Sequence, residues 1–125
     1  MDKEQALHFF WSGFGIPAID EQSSYDEPSM DELSYNYPRI TYEVGVGELD
    51  APVTLAADLF YRDTSWPAIT QKAHEIAAAM PTKINYDSGQ LWIKRGSPIY
   101  QRMAADNTFN IRRIHFNIIA EYLSD

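Results

Sequence analysis

Along "RITYEVGV" the residues alternate: Ile40, Tyr42, Val44 and Val46 fall on one side and Thr41, Glu43 and Gly45 on the other, the period-two pattern of a strand with one buried face. The alternation returns in "VTLAADLFYR", where Val53, Leu55, Ala57, Leu59 and Tyr61 share a side, and the short "GELDAP" between the two runs predicts an antiparallel pair. The period then changes. Ile69, Ala73, Ile76, Ala77 and Met80 recur at helical spacing, with Gln71 and Glu75 turned away. Thr64 and Ser65 stand where an N-cap is needed, and Pro67 where a missing amide hydrogen costs nothing. An earlier helix is expected from Asp2 to Ser12: Leu7, Phe10 and Trp11 share a face, Phe9 broadens it, and Asp2 and Glu4 suit its positive N-terminal end.

"KINYDSGQLWIKR" predicts a hairpin, because Asp87, Ser88 and Gly89 supply turn chemistry between two alternating runs; Trp92 is expected to pack inward. "GSPIYQRMAADN" follows as a connection with a possible helical turn. In the closing "FNIRRIHFNIIAEYLS", Ile114, Phe116, Ile118, Ala120 and Tyr122 alternate, while Phe109 and Ile111 have the opposite phase, so a bulge is expected at Arg112 and Arg113. Extended, this run would span on the order of 50 Å, more than a small domain's width, so it must bend or project. The sum is an α+β fold: a largely antiparallel sheet of four to five strands with two α-helices packed on one face.

One stretch has no period. From Asp20 to Pro38 the sequence carries six acids, no base and two prolines, a long acidic loop inside what is otherwise one domain, residues 1–125. Long loops of this kind carry contacts, which makes Tyr25, Asp26, Glu27, Asp31, Glu32, Tyr35 and Tyr37 candidates for a subunit or partner interface. The formal net charge of −8 is divided unevenly: residues 1–63 hold thirteen acids against three bases, a net of −10, and residues 64–125 five acids against seven bases, a net of +2. A chain this acidic gains little from counterion release, which disfavours phosphate-gripping nucleic-acid binding. Its unlike halves suit mutual attraction between copies. Arg95, Arg102, Arg112 and Arg113 are the basic candidates; for Arg112 and Arg113 a bulge with one solvated arginine and a partner for a neighbour's acidic loop are equally good readings.

Chemistry of other kinds finds little footing. His8, His74 and His115 lack any spacing that would aim two imidazoles at one metal. With no cysteine there is no disulfide, thiolate ligand or thiol nucleophile. The acid pairs Asp26–Glu27 and Asp31–Glu32 lack the spacing of a calcium loop, and "GFG" and "GVG" do not extend into a phosphate-binding motif. The corner holding Arg62, Asp63, Ser65 and Trp66 is best explained by helix capping and packing, a joint rather than an anion site. No apolar run approaches the roughly 18 residues a membrane span needs, and the N-terminus lacks the features of a secretory signal. No catalytic residue, metal or cofactor is assigned.

Three segments, "LHFFWSGFGIPAIDE", "PRITYEVGVGELDAPVTLAADLFYRDTSWPAITQKAHEIA" and "LWIKRGSPIYQRMAADNTFNIRRIHFNIIAEYL", resemble in order and spacing the small tail terminator or tail-completion (head-tail joining) proteins of long-tailed bacteriophages and prophages. The resemblance implies a structural virion protein of the tail-neck region, made in the bacterial host cytoplasm. It implies a hexameric ring that caps the tail tube, contacts the tail tube protein and the head-tail connector proteins, and lets DNA pass through its lumen without specific binding. Other neck ring proteins share the fold. From the residues alone, a small adaptor domain that binds a protein through the tyrosine-rich acidic loop is the competing reading.

Overall fold

A computed structural model describes residues 1–20, 37–45, 51–103 and 110–123. In chain order the elements are α1 (Lys3–Ser12), β1 (Ala18–Asp20), β2 (Arg39–Tyr42), β3 (Val53–Arg62), α2 (Pro67–Ala78), β4 (Thr82–Tyr86), β5 (Gly89–Met103) and β6 (Ile111–Leu123). The expected loop from Asp20 to Pro38 lies, except for its ends, outside the described residues, as do Val46 and Phe109.

The strands form one six-stranded sheet in the order β1-β2-β3-β6-β5-β4. The expected α+β architecture with two helices is present, and the β2–β3 and β4–β5 pairs are antiparallel as their patterns predict. The sheet is larger and less uniform than expected, because β1 adds a sixth strand that runs parallel to β2. Both helices lie on the same face. Into that face point Ile40 and Tyr42 of β2, Leu55, Ala57 and Leu59 of β3, Leu91 and Ile93 of β5, and the even-numbered residues of β6 from Ile114 to Tyr122. They meet Leu7, Phe10 and Trp11 of α1 and Ile69, Ala73 and Ile76 of α2. Trp11 stacks on Tyr42 and sets its edge against Phe116, tying α1 to two strands at once.

The two helix starts are built differently. Asp2 and Gln5 form a reciprocal capping box on α1: the Gln5 amide donates to Asp2 Oδ1 and the Asp2 amide to Gln5 Oε1, each at 2.8 Å. α2 has no side-chain cap. Trp66 occupies its N-cap position, with Pro67 immediately after. Thr64 and Ser65 therefore do not cap this helix, contrary to expectation; the Ser65 amide and hydroxyl both donate to Asp63 Oδ1, at 3.1 and 3.3 Å. Asp63 folds the corner into a turn of its own and takes the hydroxyl out of reach.

Strand β6 pairs with β3 from Ile111 to Ala120 without a break, so no bulge occurs at Arg112 and Arg113. It does not project either, because β3 and β5 flank it. The irregularity lies in β5, between Arg95 and Tyr100. There Gly96 approaches β6 so closely that a Cβ would stand 2.5 Å from the Asn117 carbonyl oxygen, and Asn117 Nδ2 donates to the Pro98 carbonyl at 3.2 Å. Pro98, with no amide hydrogen for the ladder, falls where the ladder is already interrupted. The expected connection after Arg95 is thus the second half of a strand that continues to Met103.

Candidate functional site

Among the described residues no helix covers the opposite sheet face, and charged and aromatic side chains interlock across it. Asp58 on β3 sits directly across from His115 on β6 and one pleat from Arg113. Its Oδ1 accepts from Arg113 Nε at 2.8 Å and lies 2.9 Å from His115 Nδ1. Toward the β1 edge, Phe60 is flanked by two guanidinium groups, Arg39 at 5.2 Å and Arg113 at 6.0 Å. Arg39 also lies 5.0 Å above the ring of Tyr37, whose edge meets Phe60. Attraction of a cation to the ring quadrupole holds such rows flat on the sheet.

At the β4 edge the same face carries a second aromatic centre. The Lys83 ammonium stands 3.9 Å from the centre of the Trp92 ring and Lys94 5.3 Å. Trp92 Nε1 donates to Gln90 Oε1, and Lys94 pairs with Glu121 at 3.2 Å. Around this ring opens a shallow groove of about 780 Å³ lined by Pro81, Thr82, Lys83, Trp92, Lys94 and Arg95. Trp92 therefore does not pack inward. It stands between Leu91 and Ile93, which both enter the core, and the pleat turns it to the open side.

A third cluster closes the helix side beyond the core. Register places Arg102 opposite Ile114, on the same side as Arg112, and the two guanidinium groups bracket Trp66 at 4.7 and 5.6 Å. Arg112 Nη2 also donates to the Thr64 carbonyl at 2.9 Å. The corner thus joins two strands to the start of α2 through one indole.

The basic candidates consequently divide. Arg102 and Arg112 come together on Trp66, Arg113 points to the opposite face and pairs with Asp58, and Arg95 Nε donates to the Ala77 carbonyl at the end of α2. Tyr37 joins the Arg39–Phe60 row, while Tyr25, Asp26, Glu27, Asp31, Glu32 and Tyr35 lie outside the described residues. Lys83, Trp92 and Lys94 are not among the sequence candidates; the alternation that buries Leu91 and Ile93 carries Trp92 to the other face, the reverse of the expected packing.

The histidines occupy three separate places. His8 Nδ1 lies 2.8 Å from the Tyr42 hydroxyl and Nε2 3.1 Å from Ser12 Oγ; His74 leans on the Tyr100 ring; His115 meets Asp58. No group of three or more His, Cys, Asp or Glu side chains suited to a metal occurs among the described residues. Burial raises the Tyr122 hydroxyl to about 12, with Glu4 and Tyr86 adding to the effect. Tyr42 is raised by burial and by the charges of Asp20 and Glu4. Both are core side chains beneath α1 and not groups poised in a cleft. No protein-family model matches the chain, and no curated protein matches it.

Proposed function

We propose that this chain is a structural subunit of a phage tail neck, one that closes with identical copies into a ring, hexameric by the family resemblance, and joins the tail tube to the head connector. No catalytic step belongs to this reading. The observation that supports it most is the placement of charge across the sheet. Strands β4, β5 and β6, which form one half, carry six bases, Lys83, Lys94, Arg95, Arg102, Arg112 and Arg113, against the single acid Glu121. The acid-rich stretches of the sequence are joined to the strands of the other half: residues 21–36 run between β1 and β2, and residues 43–52 between β2 and β3.

A head-to-tail ring needs two different, complementary surfaces on every subunit. A sheet that is basic at one end and tethers acidic segments at the other supplies such a pair, and complementary charge fixes register and partner choice more than raw affinity. The open face adds cation–aromatic rows, with arginine and aromatic side chains of the kind enriched in protein interfaces.

Size-exclusion chromatography with light scattering is the direct test, together with electron microscopy of tail tubes mixed with the protein. The expected result is a closed oligomer, free or seated on the tube end. A monomer at high concentration that no tube retains would overturn the reading and favour the adaptor domain.

A further inference from the structure

The groove around Trp92 is built to take an extended acidic segment, and we infer that its occupant is the acidic stretch within residues 20–38 of a second copy of this chain. The inference rests on the ring reading and names the joint through which one subunit grips the next. The groove combines a large aromatic ring with three cations: Lys83 and Lys94, both set over the Trp92 ring, and Arg95 at the rim. Among the described residues one acid pairs with them, Glu121 on Lys94. An acidic segment that also offers tyrosine and proline rings meets both properties, since carboxylates pair with the ammonium and guanidinium groups while flat rings lie against the indole. Residues 20–38 are that segment: six acids, no base, three tyrosines and two prolines.

Geometry favours a second copy over the same one. The segment is tethered at β1 and β2, whereas the groove lies at β4, four strands beyond β2. At about 4.8 Å per strand that is roughly 19 Å from β2, and about 24 Å from β1. Register adds distance along the strands, because Ile93 is level with Val53 whereas Asp20 is level with Ala57 and Arg39 with Phe60, so the way out and back is about 55–60 Å, against about 53 Å for the sixteen residues 21–36 fully extended. A neighbour placed edge to edge brings its tether beside the groove.

Complementation tests this with the full-length chain. One variant, Lys83→Glu with Arg95→Glu, reverses two exposed groove cations and leaves the core untouched. The other, Asp26→Asn, Glu27→Gln, Asp31→Asn and Glu32→Gln, neutralises the segment. Each alone should self-associate at least about tenfold more weakly than the natural chain. An equimolar mixture should form a dimer and stop, because it contains one working groove facing one working segment, and raised salt should dissolve that dimer. Circular dichroism and melting temperature confirm that both variants are folded. If the groove variant assembles as the natural chain does, or the mixture stays monomeric where the natural chain assembles, this joint is wrong and the ring reading survives. If the natural chain itself stays monomeric and no tail tube retains it, both fall.

Discussion

Arg113 and Asp58 belong to neighbouring strands and meet on the open face of the sheet, the arginine Nε 2.8 Å from a carboxylate oxygen that also lies 2.9 Å from the His115 ring. Asp58 is mostly covered, so its carboxylate has exchanged water for these two partners. Truncation at Asp58→Ala leaves the arginine and the imidazole without their acceptor and should cost about 1–3 kcal/mol of folding stability. A double-mutant cycle with Arg113→Ala, followed by urea denaturation, should give a coupling of about 0.5–3 kcal/mol. Additive effects would mean that the pair carries no energetic weight of its own.

Tyr122 links stability to alkaline pH. Its hydroxyl is held near 12 by burial and by Glu4 and Tyr86, against an ordinary value of 10.0. The raised folded value means that below about 10 both folded and unfolded chains keep the proton, and the stabilisation is fully present. Between about 10 and 12 the unfolded chain sheds it first, so stability falls with rising pH. Tyr122→Phe should flatten that part of the stability curve, as followed by denaturant midpoints across the range, and should remove the last-titrating tyrosinate from the ultraviolet absorbance titration.

Gly96 marks the tightest approach between β5 and β6. An added Cβ would sit 2.5 Å from the Asn117 carbonyl oxygen and 2.8 Å from its carbon, backbone atoms that cannot swing aside. Gly96→Ala should therefore destabilise by about 1–3 kcal/mol through overpacking. Gly15, where a Cβ meets nothing but φ is +78°, gives a contrasting control for conformational strain without crowding. Thermal melts of Gly96→Ala and Gly15→Ala report the two causes separately, and a Gly96→Ala melt equal to that of the natural chain would mean that the strands part without cost.

Trp66 organises the end of the sheet through Arg102 and Arg112. Replacing Arg102 with Met keeps the stem and removes the charge, which should cost about 0.5–1 kcal/mol at this exposed site. Trp66→Ala should cost more, because it also removes a partly buried ring packed against the core. Indole fluorescence would report the change directly, with a shift in the Trp66 contribution on loss of the arginine.

The elements with unbroken patterns were readable from sequence for a simple reason: in β2, β3, α1, α2 and the β4–β5 turn, local period and tertiary environment agree. β1 was not readable, because three residues give no period and its pairing is decided by β2 across the undescribed segment. The irregularity expected in β6 lies in β5. Arg112 keeps the phase of Ile114 and shares its face, but it stands beyond the end of the core, over Trp66, where a charge is tolerated. A charged residue in phase with apolar ones thus imitated a phase change. In β5 the reverse held: Gly96, Ser97 and Pro98 hid a continuing strand. As for the candidate site, single arginines were identifiable, but their grouping was not, since only strand register brings Arg102 to Arg112 and sends Arg113 away.

The strand order has a consequence for how the molecule comes into being. Among the described strands β6 alone links the β1-β2-β3 block to the β5-β4 hairpin, and it follows the other five in sequence. Until it arrives, a growing polypeptide holds two separate ribbons, each with an unsatisfied border open to stray pairing. Any larger assembly must then wait for this keystone, and chains that still lack it have no finished surface to offer their siblings.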